Sequence, residues 1–126
     1  KLVDFLKKRN KIATYYNENL RNLPIIKPVV KKYNYSSFHL YIIKTMDDED
    51  GLIRKNLFNY LRSKKIWVNV HYIPIHLQPY FSKLGFKEGD FPIAERYYKN
   101  AISLPIFPDL SKESQDFVIQ SIKEFF

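Results

Sequence analysis

Between positions 69 and 80 the chain reads Asn69-Val70-His71-Tyr72-Ile73-Pro74-Ile75-His76-Leu77-Gln78-Pro79-Tyr80, which gathers two imidazoles, two phenols and two carboxamides into one short stretch. An imidazole or carboxamide N–H can donate to phosphate or carbonyl oxygens, and a tyrosine offers a ring face together with a hydroxyl. A strand end followed by a bend is a common place for such groups to meet a ligand. Composition alone leaves two readings open, a ligand site or an ordinary aromatic-rich turn.

Other clusters offer less chemistry. The acidic run Asp47-Asp48-Glu49-Asp50 before Gly51 suggests a calcium loop. Its spacing fails, because a glycine in the sixth position would put Met46 first and Leu57 last, where carboxylates belong. A solvated turn ahead of a helix is expected instead. His71 and His76 are separated by Pro74 and a turn, so no helical face presents both to a metal, and no Glu follows His71 to make a metalloprotease pattern. His39, flanked by Phe38 and Leu40, reads as a structural histidine with one ring nitrogen satisfied. Lys7, Lys8, Arg9 and Lys11 read as the solvated face of a helix. The glycines at 51, 85 and 89 are not spaced as a phosphate loop.

Elements must position these residues. Leu2, Phe5, Leu6, Ile12, Ala13, Tyr16 and Leu20 recur at threes and fours, which predicts an amphipathic helix stopping near Asn22, ahead of Pro24 and Pro28. Ser37 to Lys44 reads as a strand, with Phe38, Leu40 and Ile42 on one face and His39, Tyr41 and Ile43 on the other. A helix after Gly51 carries Leu52, Ile53, Leu57 and Leu61, with acids before it and Arg62, Lys64 and Lys65 at its end, as the helix dipole favours.

A second strand is expected from Ile66 to Ile73, with Asn69 and His71 sharing a face and Tyr72 opposite unless the chain bends at Pro74. A short helix redirected by Pro79, a helix opened by Pro92, a strand from Ala101 to Phe107 and a terminal helix capped by Ser111 complete the chain. The last helix should bury Phe117, Val118, Ile122 and Phe125. This order predicts an α+β domain with a small, mostly antiparallel sheet and helices packed on it.

Composition narrows the function classes. The chain has 126 residues, 45% of them hydrophobic and 27% charged, enough for one globular core. Zero cysteines exclude disulfides, thiolate metal sites and thiol nucleophiles within these residues. No apolar run approaches a membrane span and no signal-peptide pattern opens the chain, so a soluble, cytoplasmic protein is expected. Of the 21 basic residues behind the net charge of +8, 16 are lysine, scattered among Ile, Asn, Tyr and Phe as a biased genome would also scatter them. Lys1 stands where Met would and reads as part of a helix already under way, which leads us to expect a piece of a longer protein.

At three places the chain resembles the DegT/DnrJ/StrS family of pyridoxal-phosphate-dependent sugar aminotransferases. They are Val70-His71-Tyr72-Ile73-Pro74-Ile75-His76-Leu77-Gln78-Pro79-Tyr80-Phe81, Gly89-Asp90-Phe91-Pro92-Ile93-Ala94-Glu95-Arg96 and Ile102-Ser103-Leu104-Pro105-Ile106-Phe107-Pro108. Arg9-x-x-Ile12-Ala13-x-x-Tyr16 and Phe38-His39-Leu40-Tyr41 add weaker support. The resemblance covers residues 1–126 as the family's C-terminal small domain of the aspartate-aminotransferase fold, with residues 1–22 as an inter-domain helix. In style it is most similar to enzymes that aminate a UDP-linked 4-keto-6-deoxy sugar on the way to pseudaminic acid and related surface glycans.

The resemblance implies pyridoxal phosphate as cofactor, a nucleotide-linked keto sugar as substrate, an amino donor such as glutamate, and a homodimer. It also implies that the cofactor lysine and most phosphate ligands lie in a large domain outside these residues. Lys44 lacks the family's flanking signature and is not assigned that role. The chain should then help to shape the sugar-nucleotide cleft without being a complete catalyst. Asn69, Val70, His71 and Tyr72 are the expected substrate contacts, with His76 and Gln78 behind them. Glu95 and Arg96 match the motif but are expected in an ion pair or a helix cap. The rival reading is a stand-alone basic, aromatic-rich module for single-stranded nucleic acid, weakened because Tyr and Phe fall mainly on the same stripes as Ile and Leu.

Overall fold

The computed structural model describes residues 1–46 and 49–126. Asp47 and Asp48, half of the acidic run, lie outside the described residues.

Helix α1 spans Leu2–Asn19 and buries Ile12, Ala13 and Tyr16. It ends three residues before the expected stop. The Leu20 amide closes on the Tyr16 carbonyl, and Asn22 then takes the left-handed conformation at φ 65°. Strand β1 (Ile25–Ile26), unforeseen in the sequence because two prolines bracket it, is only two residues long. It pairs antiparallel with β2 (Tyr41–Thr45), which pairs antiparallel with β3 (Ala101–Leu104), giving the order β1-β2-β3.

The expected strand from Ser37 is therefore shorter and starts later. Phe38 adopts φ 43°, which breaks the two-residue alternation. Phe38 and Tyr41 consequently both reach the core, their rings 6.2 Å apart, where unbroken alternation would have set them on opposite faces. His39 is left exposed and its ring takes no hydrogen bond among the described residues, contrary to the structural role expected of it. β3 likewise stops at Leu104, because Pro105 has no amide to continue the ladder.

Tyr41, Ile43 and Thr45 face the core, and Leu104 and Ile102 stand opposite the first two across the ladder. Against this face pack Tyr16 and Leu20 of the first helix, Leu57 and Leu61 of α2 (Leu52–Ser63), and Val118, Ile119 and Ile122 of α5 (Lys112–Phe125). Ser111 caps α5 by accepting the Ser114 amide at 3.1 Å, as expected. The apolar stripe of α5 is rotated from the predicted one. Ile119 replaces Phe117, which is 51% exposed.

Buried polar groups are paired. The Tyr16 hydroxyl donates to the Pro105 carbonyl at 2.9 Å and the Tyr41 hydroxyl to Asn17 Oδ1 at 2.6 Å. Burial pushes both phenols above the usual tyrosine range. Arg9 leaves the basic face to which the sequence assigned it. Its Nη1 donates to the carbonyls of Phe38 at 2.9 Å, His39 at 3.0 Å and Ile106 at 3.3 Å, clamping α1 to the segments that flank the sheet.

Candidate functional site

The segment from Ile66 onward is not the full strand that its β-formers predict. Ile66 and Val68 are buried while Trp67 and Asn69 are exposed, so the alternation holds, but only Asn69 pairs, bridging Ser103 of β3. The Asn69 amide donates to the Ser103 carbonyl at 3.3 Å and the Ser103 amide to the Asn69 carbonyl at 2.8 Å. Beyond Asn69 the chain leaves β3, and Pro74 could not have paired in any case.

Directly opposed residues of an antiparallel pair share a face. Ser103 stands opposite Ile42 on β2 and is bridged by Asn69, so Asn69, Ser103 and Ile42 lie on the face away from the helix-packed core. His71, two residues on, joins them. Its Nδ1 lies 2.7 Å from Ser103 Oγ, which is buried beneath it. Ser103 was not foreseen as a site residue. A lone hydroxyl in the apolar run Ala101-Ile102-Ser103-Leu104 was the available signal, because a buried hydroxyl needs a partner.

The Asn69 side-chain oxygen accepts the Val70 amide at 2.9 Å, which leaves its NH2 group outward, and Val70 itself is half-buried. The His71–Tyr72 peptide is cis, and the two rings meet edge-on with centroids 4.5 Å apart. Tyr72 is 70% exposed. With Pro74 it forms one wall of an apolar cleft of about 650 Å³, whose other wall is Phe91, Pro92, Ile93 and Tyr97 at the start of α4 (Pro92–Asn100).

His76 and Gln78 sit apart from this group. His76 lies in a single 3-10 turn, Ile75–Leu77, that leads into the short helix α3 (Pro79–Ser82). It is buried, and its Nε2–H donates to Glu95 Oε1 at 2.7 Å. Glu95 also accepts the Gly89 amide at 3.0 Å and the Phe91 amide at 3.2 Å. α4 has no side-chain cap at Phe91, so Glu95 reaches back from inside the helix to satisfy that orphan amide. The Gly89 amide, followed by His76 and the Phe91 amide, holds the Glu95 carboxyl below its ordinary value although burial pushes the other way. Of the two uses expected of Glu95, the cap is present, and its side-chain partner is the His76 imidazole. Arg96 is exposed beside it. The Gln78 side chain is half-buried and makes no hydrogen bond among the described residues.

A pyridoxal phosphate site needs a lysine amine, a carboxylate facing the ring nitrogen and donors for the phosphate. The described residues do not supply that set. Glu95, the one buried acid among the described residues, is consumed by His76 and two amides, and Lys44 sits half-buried on β2 opposite Ala101. What the arrangement can do is bind. It offers an imidazole and a carboxamide beside an apolar wall with an exposed phenol.

The model of the DegT/DnrJ/EryC1/StrS aminotransferase family matches residues 1–123. The chain belongs to that family. The spore coat polysaccharide biosynthesis protein SpsC of Bacillus subtilis is 35% identical over 127 residues, covering 98% of this chain and 33% of SpsC. GDP-perosamine synthase of Escherichia coli O157:H7 is 32% identical over 98% of this chain and 32% of its own length.

Among solved structures, the sugar aminotransferase Spr1654 of Streptococcus pneumoniae in its apo form superposes with a TM-score of 0.91 at 29% identity, over 98% of this chain and 31% of that one. Spr1654 is also known in a PLP form. PseC of Helicobacter pylori, an aminotransferase in pseudaminic acid biosynthesis, superposes with a TM-score of 0.84 at 28% identity, over 97% of this chain and 33% of PseC. The chain thus spans about a third of the length of the relatives it matches. The α+β class and the family expected from the sequence are those found, and the nucleic-acid rival gains no support.

Proposed function

We propose that these 126 residues are the C-terminal, substrate-facing part of a pyridoxal-phosphate-dependent sugar aminotransferase, with α1 as the helix that leads in from the rest of the polypeptide. The substrate class is a nucleotide-linked keto-deoxy sugar, aminated for surface polysaccharide or glycan synthesis, with glutamate as amino donor and a homodimer as the working form. The observation that carries this reading is the joining of Asn69 and His71 on one face of the sheet beside the apolar Tyr72 cleft, in a chain of this family.

Pyridoxal phosphate, held by a lysine outside these residues, supplies the amine-carrying chemistry. Asn69 and His71 bind the polar part of the sugar nucleotide, and Tyr72 with Pro74 lines the apolar side. The His76–Glu95 pair is the support that keeps Pro74 and the start of α4 apart, rather than a contact. The names of GDP-perosamine synthase and PseC support the nucleotide-sugar and glycan classes for this chain by kinship.

The full polypeptide encoded by the gene, given pyridoxal phosphate, glutamate and a UDP-linked 4-keto-6-deoxy sugar, should yield a product in which the keto oxygen is replaced by an amine, read by mass spectrometry. Absence of that product across UDP-, dTDP- and GDP-linked keto sugars, from a folded and cofactor-loaded protein, would overturn the reading.

A further inference from the structure

Ser103 is buried, and among the described residues its Oγ makes one hydrogen bond, to His71 Nδ1 at 2.7 Å. A serine hydroxyl carries one proton, and a buried polar hydrogen without an acceptor is costly. If Nδ1 held the ring proton, Nδ1–H would donate to Oγ and the hydroxyl's own hydrogen would have nowhere to go among the described residues. If the hydroxyl donates to Nδ1, both groups are satisfied. The second arrangement is the one the burial selects, and it forces the neutral ring to carry its proton on Nε2.

His71 Nε2 has no partner among the described residues. The ring is half-buried, its edge-on neighbour is Tyr72, and the Asn69 carboxamide, with its oxygen spent on the Val70 amide, is two residues away on the same face. Both groups therefore present N–H donors outward.

We propose that Ser103 is a positioning residue that locks His71 as its Nε2–H tautomer, so that His71 and Asn69 form a paired donor site for an anionic oxygen of the ligand. This rests on the nucleotide-sugar reading for the identity of that oxygen, a diphosphate oxygen, but not for the tautomer. The lock has a simple chemical consequence. A neutral imidazole free to exchange tautomers presents an acceptor part of the time, which an anionic oxygen rejects, whereas a hydroxyl-locked ring is always a donor.

The test uses the full polypeptide with 15N-labelled histidine. The His71 signals are identified by their loss in His71→Gln, and the two ring nitrogens are distinguished by long-range proton–nitrogen correlation at a pH where the ring is neutral. Nδ1 should show the bare, acceptor-type shift and Nε2 the protonated one. Ser103→Ala should move both shifts toward a tautomer mixture and weaken binding of a UDP-linked 4-keto-6-deoxy sugar about ten-fold, with amine loading from glutamate unchanged. Ser103→Thr, which keeps the hydroxyl, should restore the wild-type nitrogen shifts. A proton on Nδ1 in the wild type, or identical nitrogen shifts in wild type and Ser103→Ala, would overturn the lock; the wild-type spectrum decides even if a variant fails to fold. Nitrogen shifts as expected that no keto sugar nucleotide perturbs would overturn the ligand half alone, with the tautomer left standing, while the functional reading stands or falls on the aminated product.

Discussion

Gly51 carries a constraint that its place after an acidic run does not advertise. It starts α2 at φ 69°, a conformation that costs other residues energy, and a Cβ there would lie 2.7 Å from the Lys99 carbonyl oxygen. That same carbonyl accepts Arg54 Nε at 3.1 Å, so the start of α2 is seated on the end of α4. Gly51→Ala combines backbone strain with a clash against backbone and should cost more than about 1 kcal/mol, read as a lower urea midpoint with an unchanged slope. An unaltered midpoint would mean that the two helices can separate freely. Leu57 is a control of ordinary kind. It is fully buried, and Leu57→Ala should cost about 2–5 kcal/mol through the cavity it leaves.

At the scale of elements, one buried carboxylate joins three parts of the region from Ile75 to the start of α4. Glu95 ties the 3-10 turn, through His76, to Gly89 and to the uncapped start of α4. Its folded pKa lies below the ordinary 4.5, so it adds stability that is present above the unfolded value and is lost as pH falls through the lowered folded value. Glu95→Gln should lower stability at neutral pH and flatten the loss between pH 5 and more acid conditions, measured as urea midpoint against pH. A wild-type slope in the variant would place the acid sensitivity elsewhere.

The sequence made the helices legible, since their apolar spacing, Pro92 and the Ser111 cap are local signals. It overestimated the strands. Whether Ser37 to Leu40 or Val70 to Ile73 finds a ladder partner depends on Phe38 turning left-handed and on how far β3 extends, and neither is written in local propensity. Within the site, Asn69 and His71 were placed on one face correctly by their spacing of two. The partner beneath them, Ser103, is marked locally only as a lone hydroxyl in an apolar run, and its pairing with His71, 32 residues away, is not a local signal.

For the molecule as a whole, the surface is more apolar than one small domain needs. Trp67 is 75% exposed under the Arg62 guanidinium, 4.2 Å from its ring centroid, and with Phe107, Leu110 and Phe117 it lines a groove of about 700 Å³. Exposed apolar patches of this kind favour association. The 126 residues in isolation should self-associate in sedimentation velocity and bind an apolar-patch dye, and a strict monomer at high concentration without dye binding would contradict this. Given pyridoxal phosphate, they should trap no single lysine adduct with borohydride, because Lys44 lacks the flanking signature of a cofactor lysine and a complete cofactor cradle is missing around it.

The central claim is that His71 meets the sugar nucleotide and not the amino donor or the cofactor. Two single-turnover titrations of His71→Ala in the full polypeptide, one with glutamate and one with the keto sugar nucleotide, separate these possibilities. We predict a loss of roughly 1.5–3 kcal/mol, a ten-fold to hundred-fold weaker Kd, in the sugar-nucleotide titration alone, the usual worth of a hydrogen bond to a charged group. An equal loss in both titrations, or loss of bound pyridoxal phosphate, would contradict the account.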